Sequence, residues 1–125
     1  GLVQLDKLRS DLEKRAQVRE WYIKYLKDNP KFIIPFLTHK GFVSNYIFPI
    51  ILKNANKEER DYLRRQLDSA GIQTSIHYPP VHKFSIYSNK QKLINTEIAS
   101  NSLISLPMYS KLVLNDITNI CNNLI

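Results

Sequence analysis

The segment with the most restrictive sequence spans residues 71–82 and reads GIQTSIHYPPVH. Its first half has the alternation of period two that predicts a strand over residues 72–76. The chain then continues directly into His77, Tyr78 and two prolines. Proline fixes φ, lacks a backbone N–H and moves the residue before it out of the helical region. Regular strand pairing must therefore end at Tyr78. We expect residues 77–82, called here the His-Tyr-Pro-Pro loop, to be stiff and extended.

The composition limits the class of protein. The chain has 125 residues, of which 43% are hydrophobic and 23% charged, which is enough for one hydrophobic core. No window approaches the roughly 20 uninterrupted apolar residues of a membrane span, and no signal-peptide pattern is present. Cys121 is the single cysteine and lies in an apolar-periodic tail, which predicts a small buried hydrophobe. We therefore predict a cytoplasmic location with no membrane partner.

The formal net charge of +7 raises the question of a nucleic-acid partner. The charge distribution argues against it, because residues 2–29 interleave seven basic with five acidic residues. Such mixtures are typical of solvated helix faces with salt-bridge partners. Lys83, Lys90 and Lys92 are predicted to form an unneutralised group, which either attracts a phosphate or is simply solvated.

A long amphipathic helix opens the chain. Apolar positions follow three- and four-residue steps from Leu2 to Leu26 and predict a helix of about 27 residues that ends before Pro30. Tyr22 and Leu26 lie on its predicted core face. At about 1.5 Å per residue the helix would span about 40 Å, more than a small domain buries. The chain begins inside this helix without a capping residue, so we expect the helix to continue from preceding polypeptide.

The remaining segments predict short strands and helices. Apolar runs rich in β-branched and aromatic residues predict three further strands, at residues 31–36, 42–52 and 103–106. Capping residues and apolar periodicity predict helices at residues 56–70, 91–100 and 115–124. Pro49 is expected at a bulge or an edge. This order predicts the α+β class, with a small, mainly antiparallel sheet, helices packed on one face, and the long helix in front.

Residue types and spacing do not assemble a complete active site. His77 and His82 would need another metal ligand, and neither His39 nor Cys121 has suitable spacing, so no metal site is predicted. The loop histidines suit acid–base chemistry, or their nitrogens could simply hydrogen-bond backbone carbonyls. Neither a Gly-x-Ser-x-Gly turn nor a glycine-rich phosphate loop is present. We therefore predict no catalytic and no cofactor-binding residue in this chain.

Three motifs, taken in order, resemble those of one family. GIQTSIHYPPVH, followed by LISLPMYS at residues 103–110, is similar to the C-terminal part of the DegT/DnrJ/EryC1/StrS aminotransferases. The opening GLVQLDKL resembles the family's Gly-Leu-x-Gln-Leu-x-x-Leu helix. The resemblance covers nearly the whole chain. It implies the small domain of a fold-type-I enzyme that uses pyridoxal phosphate. Such enzymes aminate keto-deoxysugars carried on nucleotides, typically with glutamate as donor, in surface polysaccharide or amino-sugar biosynthesis.

The resemblance also implies roles for residues and partners. In such enzymes the His-Tyr-Pro-Pro loop lies near the sugar-nucleotide substrate. The implied substrate-binding residues are His77, Tyr78, Pro79 and His82. The family carries its Schiff-base lysine in a large domain and forms homodimers. Residues 1–29 would then be a helix that links to a large domain outside this chain, and residues 30–125 the small α+β domain. This chain alone is expected to be inactive.

Two other functions remain open at the level of the sequence. A non-enzymatic binding module could have kept this domain without a catalytic one. A basic nucleic-acid accessory domain is supported only by the net charge. The sequence also departs from the family pattern at Asn101, where the family carries a charged residue.

Overall fold

The fold is seen in a computed structural model that describes residues 1–38, 41–87 and 91–124. Its helices and strands are α1 (Leu2–Leu26), β1 (Phe32–Ile33), β2 (Phe48–Leu52), α2 (Lys57–Ser69), α3 (Ile94–Ser102), β3 (Leu103–Leu106) and α4 (Leu114–Asn122). Between α2 and α3 lie the 3₁₀ turns Val81–Lys83 and Ser85–Tyr87. The strands form an antiparallel sheet in the order β1-β2-β3. The predicted α+β class, with a small antiparallel sheet behind a long first helix, is confirmed.

Helix α1 is one continuous helix of 25 residues, as its apolar period predicted. Its C-terminal half enters the core, where Val18, Tyr22 and Leu26 are buried. The apolar side chains of the first turns stay at the surface, and Leu2 is 80% exposed. The first half of α1 therefore carries an apolar face that the rest of the described chain does not cover.

Tyr22 connects α1 to the sheet. Its ring stacks on Phe48 of β2, with ring centroids 4.6 Å apart and planes inclined by 19°. Its hydroxyl donates to the backbone carbonyl of Pro107, just beyond β3, at 2.8 Å. Burial raises the pKa of Tyr22, so the hydroxyl keeps its proton and remains a donor.

The core lies between one face of the sheet and helices α1 and α4. Phe48 and Ile50 point to the same face of β2, and their partners across the sheet, Leu106 and Ile104, point to the same face of β3. All four side chains are buried. The residues that α4 adds to this cluster are Ile117, Ile120 and Cys121.

Helix α2 has the ends that the sequence predicted. Asn56 and Glu59 form a capping box, with hydrogen bonds of 2.9 and 2.8 Å between each side chain and the other residue's backbone N–H. At the other end Gly71 has a positive φ of 75°. The N–H of Gly71 bonds to the carbonyl of Asp68 and that of Ile72 to the carbonyl of Leu67, which is the Schellman arrangement.

The strand predicted at residues 72–76 is reduced to a single antiparallel bridge between Ser75 and Ser105. The Schellman turn of α2 still uses the backbone N–H of Ile72, and the two prolines stop pairing beyond Tyr78. Too few residues remain between these two constraints to form a regular ladder. The alternating pattern correctly predicted an extended segment, but the predicted pairing along residues 72–76 is limited to one bridge.

The strand predicted at residues 42–52 is wrong in its first half. Residues 42–47 have no regular structure, and Asn45 has a positive φ of 48°, which a strand does not accommodate. The aromatic and β-branched residues of this segment produced the wrong prediction, since such residues are enriched in strands without requiring one.

Pro49 lies in the central strand β2, at a position where β3 pairs with it and β1 does not, so the proline is at a local edge, as expected, and not at a bulge. It is opposite Ser105, whose N–H and carbonyl are both bonded to Ser75, at 2.8 and 3.2 Å. Pro49 and Ser105 are therefore a non-hydrogen-bonded pair, and the missing N–H of Pro49 faces the side of β1. Because β1 reaches only as far as Ile51, the proline costs the sheet no ladder bond.

Replacing Tyr22 by Phe is expected to lower the free energy of unfolding by about 1 to 3 kcal/mol, because the carbonyl of Pro107 loses its donor. Tyr25→Phe is the matched control. Tyr25 is 37% exposed and its hydroxyl bonds to that of Thr118 at 3.0 Å, so its loss should cost less than about 0.5 kcal/mol. Urea unfolding followed by circular dichroism measures both variants. Equal losses would contradict the structural role of the buried hydroxyl.

Burial raises the pKa of Cys121 to about 12, so its thiol is protonated at neutral pH. Because the thiolate is the reactive form, Ellman's reagent should label the folded protein at least about a hundredfold more slowly than the urea-unfolded chain. The chain has one cysteine, so the absorbance change reports this residue alone. Similar labelling rates in the folded and unfolded chain would show that Cys121 is not buried in the core.

Candidate functional site

The His-Tyr-Pro-Pro loop forms one wall of an open groove of about 620 Å³, called here the loop groove. The opposite wall consists of Leu93, residues of α3 and the first residue of β3. The loop residues that line it include His77, Tyr78, Pro79 and His82. The side chain of Tyr78 is 64% exposed. The structure thus brings all four predicted substrate-binding residues to one groove, and their contact with a substrate stays a prediction.

His77 lies against the sheet beside two serines. Ser75 lies directly opposite Ser105, and His77, two residues further along an extended chain, points to the same face. Its Nδ1 atom is 2.9 Å from Oγ of Ser105 and 3.4 Å from Oγ of Ser75. The ring also meets the ring of Tyr78 edge-on, with centroids 4.9 Å apart. The sequence left open whether the loop histidines hydrogen-bond backbone carbonyls or serve acid–base chemistry. His77 does not bond to a carbonyl among the described residues, because its partners there are the hydroxyl groups of Ser75 and Ser105.

The chain turns back immediately after the prolines. The bond between His77 and Tyr78 is cis, whereas the bond between Tyr78 and Pro79 is trans. The N–H of Lys83 then bonds to the carbonyl of Pro80 at 3.0 Å, which closes a 3₁₀ turn. This turn directs His82 and Lys83 toward α3.

Glu97 of α3 holds the C-terminal end of the loop. Its Oε1 lies 3.3 Å from Nε2 of His82, and its Oε2 accepts a hydrogen bond from Nζ of Lys83 at 2.6 Å. The hydrogen bonds from Lys83 and, to a lesser extent, His82 hold the pKa of Glu97 below its ordinary value. His82 therefore contacts α3 with its Nε2 atom, although its ring also borders the loop groove.

The prediction that Lys83 belongs to an unneutralised group is wrong. The charge that neutralises it, Glu97, lies 14 residues away in sequence and meets it only because the 3₁₀ turn packs on α3. Lys90, a second member of that group, lies outside the described residues.

Sequence reasoning missed two residues of this site, Ser105 and Glu97. Ser105 carried a weak signal, because it is a polar residue inside the apolar run LISLP that predicted β3. Glu97 carried none, since an acidic residue in the first turn of a helix is common on any exposed helix. Its role depends entirely on which segment packs against α3.

Within residues 1–38, 41–87 and 91–124, the structure contains no group of three His, Cys, Asp or Glu side chains placed so that they could bind a metal ion. His39, which was considered as a ligand, lies outside these ranges. None of the helices in the same ranges has the length and apolarity that crossing a membrane requires.

The stability of the folded protein is expected to depend on pH through Glu97. Its folded pKa is lowered, so its contribution is fully present above the unfolded value of about 4.3 and disappears as the pH falls through the folded value. A carbon-13 NMR titration of the carboxyl group measures this pKa. Lys83→Met should raise it more than His82→Asn, because the lysine makes the larger contribution. Lys111→Met, which removes a lysine that is not among the groups shifting the pKa of Glu97, is the control and should leave it unchanged. A Glu97 that titrates at the ordinary value in the unmodified protein would contradict the contacts described above.

Comparison with protein families gives a match along the entire chain. The model of the DegT/DnrJ/EryC1/StrS aminotransferase family matches residues 1–125. The same motifs that resemble this family in the sequence lie in α1, in the His-Tyr-Pro-Pro loop and in β3.

Individual relatives agree with this match. The chain is 34% identical over 112 residues to dTDP-4-dehydro-2,3,6-trideoxy-D-glucose 4-aminotransferase of Saccharopolyspora spinosa, covering 90% of this chain and 29% of that protein. Among solved structures it resembles PseC of Helicobacter pylori, an aminotransferase involved in the biosynthesis of pseudoaminic acid. That superposition has a TM-score of 0.91 at 28% identity and covers 99% of this chain and 34% of PseC. It also resembles the PMP form of Spr1654 from Streptococcus pneumoniae, a candidate sugar aminotransferase, with a TM-score of 0.84 and 26% identity over 98% of this chain and 32% of that one.

The chain spans about a third of the length of these relatives. Within that third, the order of elements, the motifs and the complete family match agree with one another. The chain belongs to the DegT/DnrJ/EryC1/StrS aminotransferase family.

Proposed function

We propose that the protein containing this chain is a pyridoxal-phosphate-dependent aminotransferase. It transfers an amino group from glutamate to a keto-deoxysugar carried on a nucleoside diphosphate, for surface polysaccharide or amino-sugar biosynthesis. The family match over residues 1–125 supports the reaction class, and a relative named for a dTDP-linked sugar supports the substrate class.

The observation that carries this proposal is the position of His77 and Tyr78 on the wall of the loop groove. A sugar nucleotide offers many oxygen acceptors, and imidazole and phenol each supply a hydrogen-bond donor. Ser105 holds one end of the loop and Glu97 the other, at the distances given above. The prolines between them reduce the conformational entropy that is lost when a ligand binds. The loop can therefore orient a sugar at little ordering cost.

The side chains of the loop groove do not fit pyridoxal phosphate by themselves. The cofactor supplies an electron sink once a lysine amine holds it as a Schiff base. No lysine is among the described residues that line the groove, and Lys83 is directed to Glu97. In our proposal that lysine belongs to a large domain outside this chain. Residues 1–29 form the helix that links to this large domain, and residues 30–125 form the small domain. The role of this chain is substrate orientation, and alone it is inactive.

We further propose that the whole protein is a cytoplasmic homodimer. Large apolar side chains that do not line the loop groove remain exposed, including Leu2, Phe42 and Ile86. Extended apolar exposure of this kind is usually covered by other polypeptide. In the proposal it is covered by the large domain or by the second subunit.

The test is an amination assay on the full-length protein that contains this chain, with glutamate and dTDP- or UDP-linked 4-keto-6-deoxysugars. Tyr78→Phe and His77→Gln should each lower kcat/KM by about tenfold, as expected for one lost hydrogen bond to a bound ligand. Tyr62→Phe is the matched control, because Tyr62 is 58% exposed on α2 and should change kcat/KM less than about twofold.

Two results would contradict the proposal. One is a full-length protein that aminates none of these sugars. The other is a 125-residue chain that, mixed with pyridoxal phosphate and borohydride, traps the cofactor stoichiometrically on a single lysine, which would show that a Schiff-base site exists within this chain.

A further inference from the structure

Ser105 is a buried polar residue whose backbone is fully engaged. Its side chain and backbone together are 2% exposed, and its N–H and carbonyl both bond to Ser75. The opposite side of β3 at this position faces Pro49, which has no N–H to offer. The hydroxyl is therefore the remaining polar group of Ser105, and it lies against His77.

The hydroxyl proton of Ser105 has one acceptor within reach among the described residues, the Nδ1 atom of His77 at 2.9 Å. A buried hydroxyl that fails to donate loses the full value of its hydrogen bond to water. Ser75 competes poorly for the same nitrogen, since its Oγ is at 3.4 Å and its exposed side chain can donate to solvent. The arrangement that satisfies all three groups has Ser105 as donor and Nδ1 as acceptor.

We propose that Ser105 is a positioning residue that keeps neutral His77 in the Nε2–H tautomer with its ring fixed on the wall of the loop groove. A neutral imidazole carries one N–H, so accepting at Nδ1 leaves the proton on Nε2. Within the described chain Nε2 has no hydrogen-bond partner, and His77 lines the groove. His77 then presents a hydrogen-bond donor, not a base, to whatever occupies the groove.

The ligand chemistry follows from that donor. Nε2–H can bond to a sugar hydroxyl, a ring oxygen or a phosphate oxygen, but it cannot remove a proton from a substrate carbon. This part of the inference rests on the proposed function, because it assumes that a sugar nucleotide enters the loop groove. The tautomer itself is a property of this chain and can be tested without any substrate.

The test uses the 125-residue chain labelled with nitrogen-15 in histidine, at about pH 8.5, above the range in which imidazole ordinarily titrates. The chain has three histidines, and His77→Gln identifies the signal of His77. Long-range proton–nitrogen correlation should show Nε2 protonated and Nδ1 shifted as a hydrogen-bonded acceptor, relative to the same ring in the urea-unfolded chain. A protonated Nδ1, or an Nδ1 shift equal to that of the unfolded chain, would overturn the proposal even if no Ser105 variant folds.

Variants separate positioning from a general effect on folding. Ser105→Ala should return the Nδ1 shift to the value of a free ring and allow both tautomers, while Ser105→Thr, which retains the hydroxyl, should preserve the original pattern. Ser75→Ala is the matched control and should also preserve it. An unchanged Nδ1 signal in folded Ser105→Ala would overturn the proposal.

Activity of the full-length protein separates this inference from the proposed function. Ser105→Ala should lower kcat/KM for the sugar nucleotide by about five- to tenfold and Ser75→Ala by less than about twofold. If the NMR pattern is as expected but His77→Gln leaves kcat/KM unchanged, the substrate role of the loop is wrong and the Ser105 assignment stands. If the NMR pattern is absent, the Ser105 assignment is wrong, whatever the activity.

Discussion

The hydrogen bond from Tyr22 to the carbonyl of Pro107, together with the stacking of the same ring on Phe48, sets the relative positions of α1, β2 and the end of β3. The buried hydroxyl of Tyr22 has the carbonyl of Pro107 as its acceptor, so a shift of α1 along the sheet would separate the two groups and leave both unpaired. The ring of Tyr22 thus contacts Phe48 of β2, and its hydroxyl contacts Pro107, the residue that follows β3. This contact also positions the loop groove on the other face of the sheet, because Ser105, which contacts His77, lies two residues before Pro107.

Ser105 shows how a polar residue is accommodated inside an apolar strand. Its neighbours on β3, Ile104 and Leu106, face the core, so the alternation of the strand turns Ser105 to the opposite face. There the bridge to Ser75 satisfies its backbone, and His77 satisfies its hydroxyl. The proline opposite is tolerated for the same geometric reason, because a non-hydrogen-bonded pair needs no N–H from Pro49. One backbone register therefore explains both the buried serine and the proline in the central strand.

The His-Tyr-Pro-Pro loop combines fixed ends with an exposed middle. Contacts to the sheet and to α3 hold the imidazoles at its two ends, and the phenol of Tyr78 between them stays open to solvent. Binding residues are often placed on loops that a rigid scaffold positions, because such a loop presents polar groups without first having to become ordered. In the proposed function, the loop is such a recognition element as well as part of the connection between α2 and α3.

The sequence by itself determined the features that depend on neighbouring residues. The apolar period of α1, the capping box at Asn56 and the glycine C-cap at Gly71 are all local properties, and the structure has each of them. The motifs of the family are likewise readable from the chain. The tertiary structure alone decided which residues meet across the fold: that Glu97 neutralises Lys83, that Ser105 bonds to His77, and that residues 42–47 form no strand. Those outcomes depend on the packing of segments that are distant in sequence, and neither propensity nor spacing carries information about a partner that only folding brings within hydrogen-bond distance.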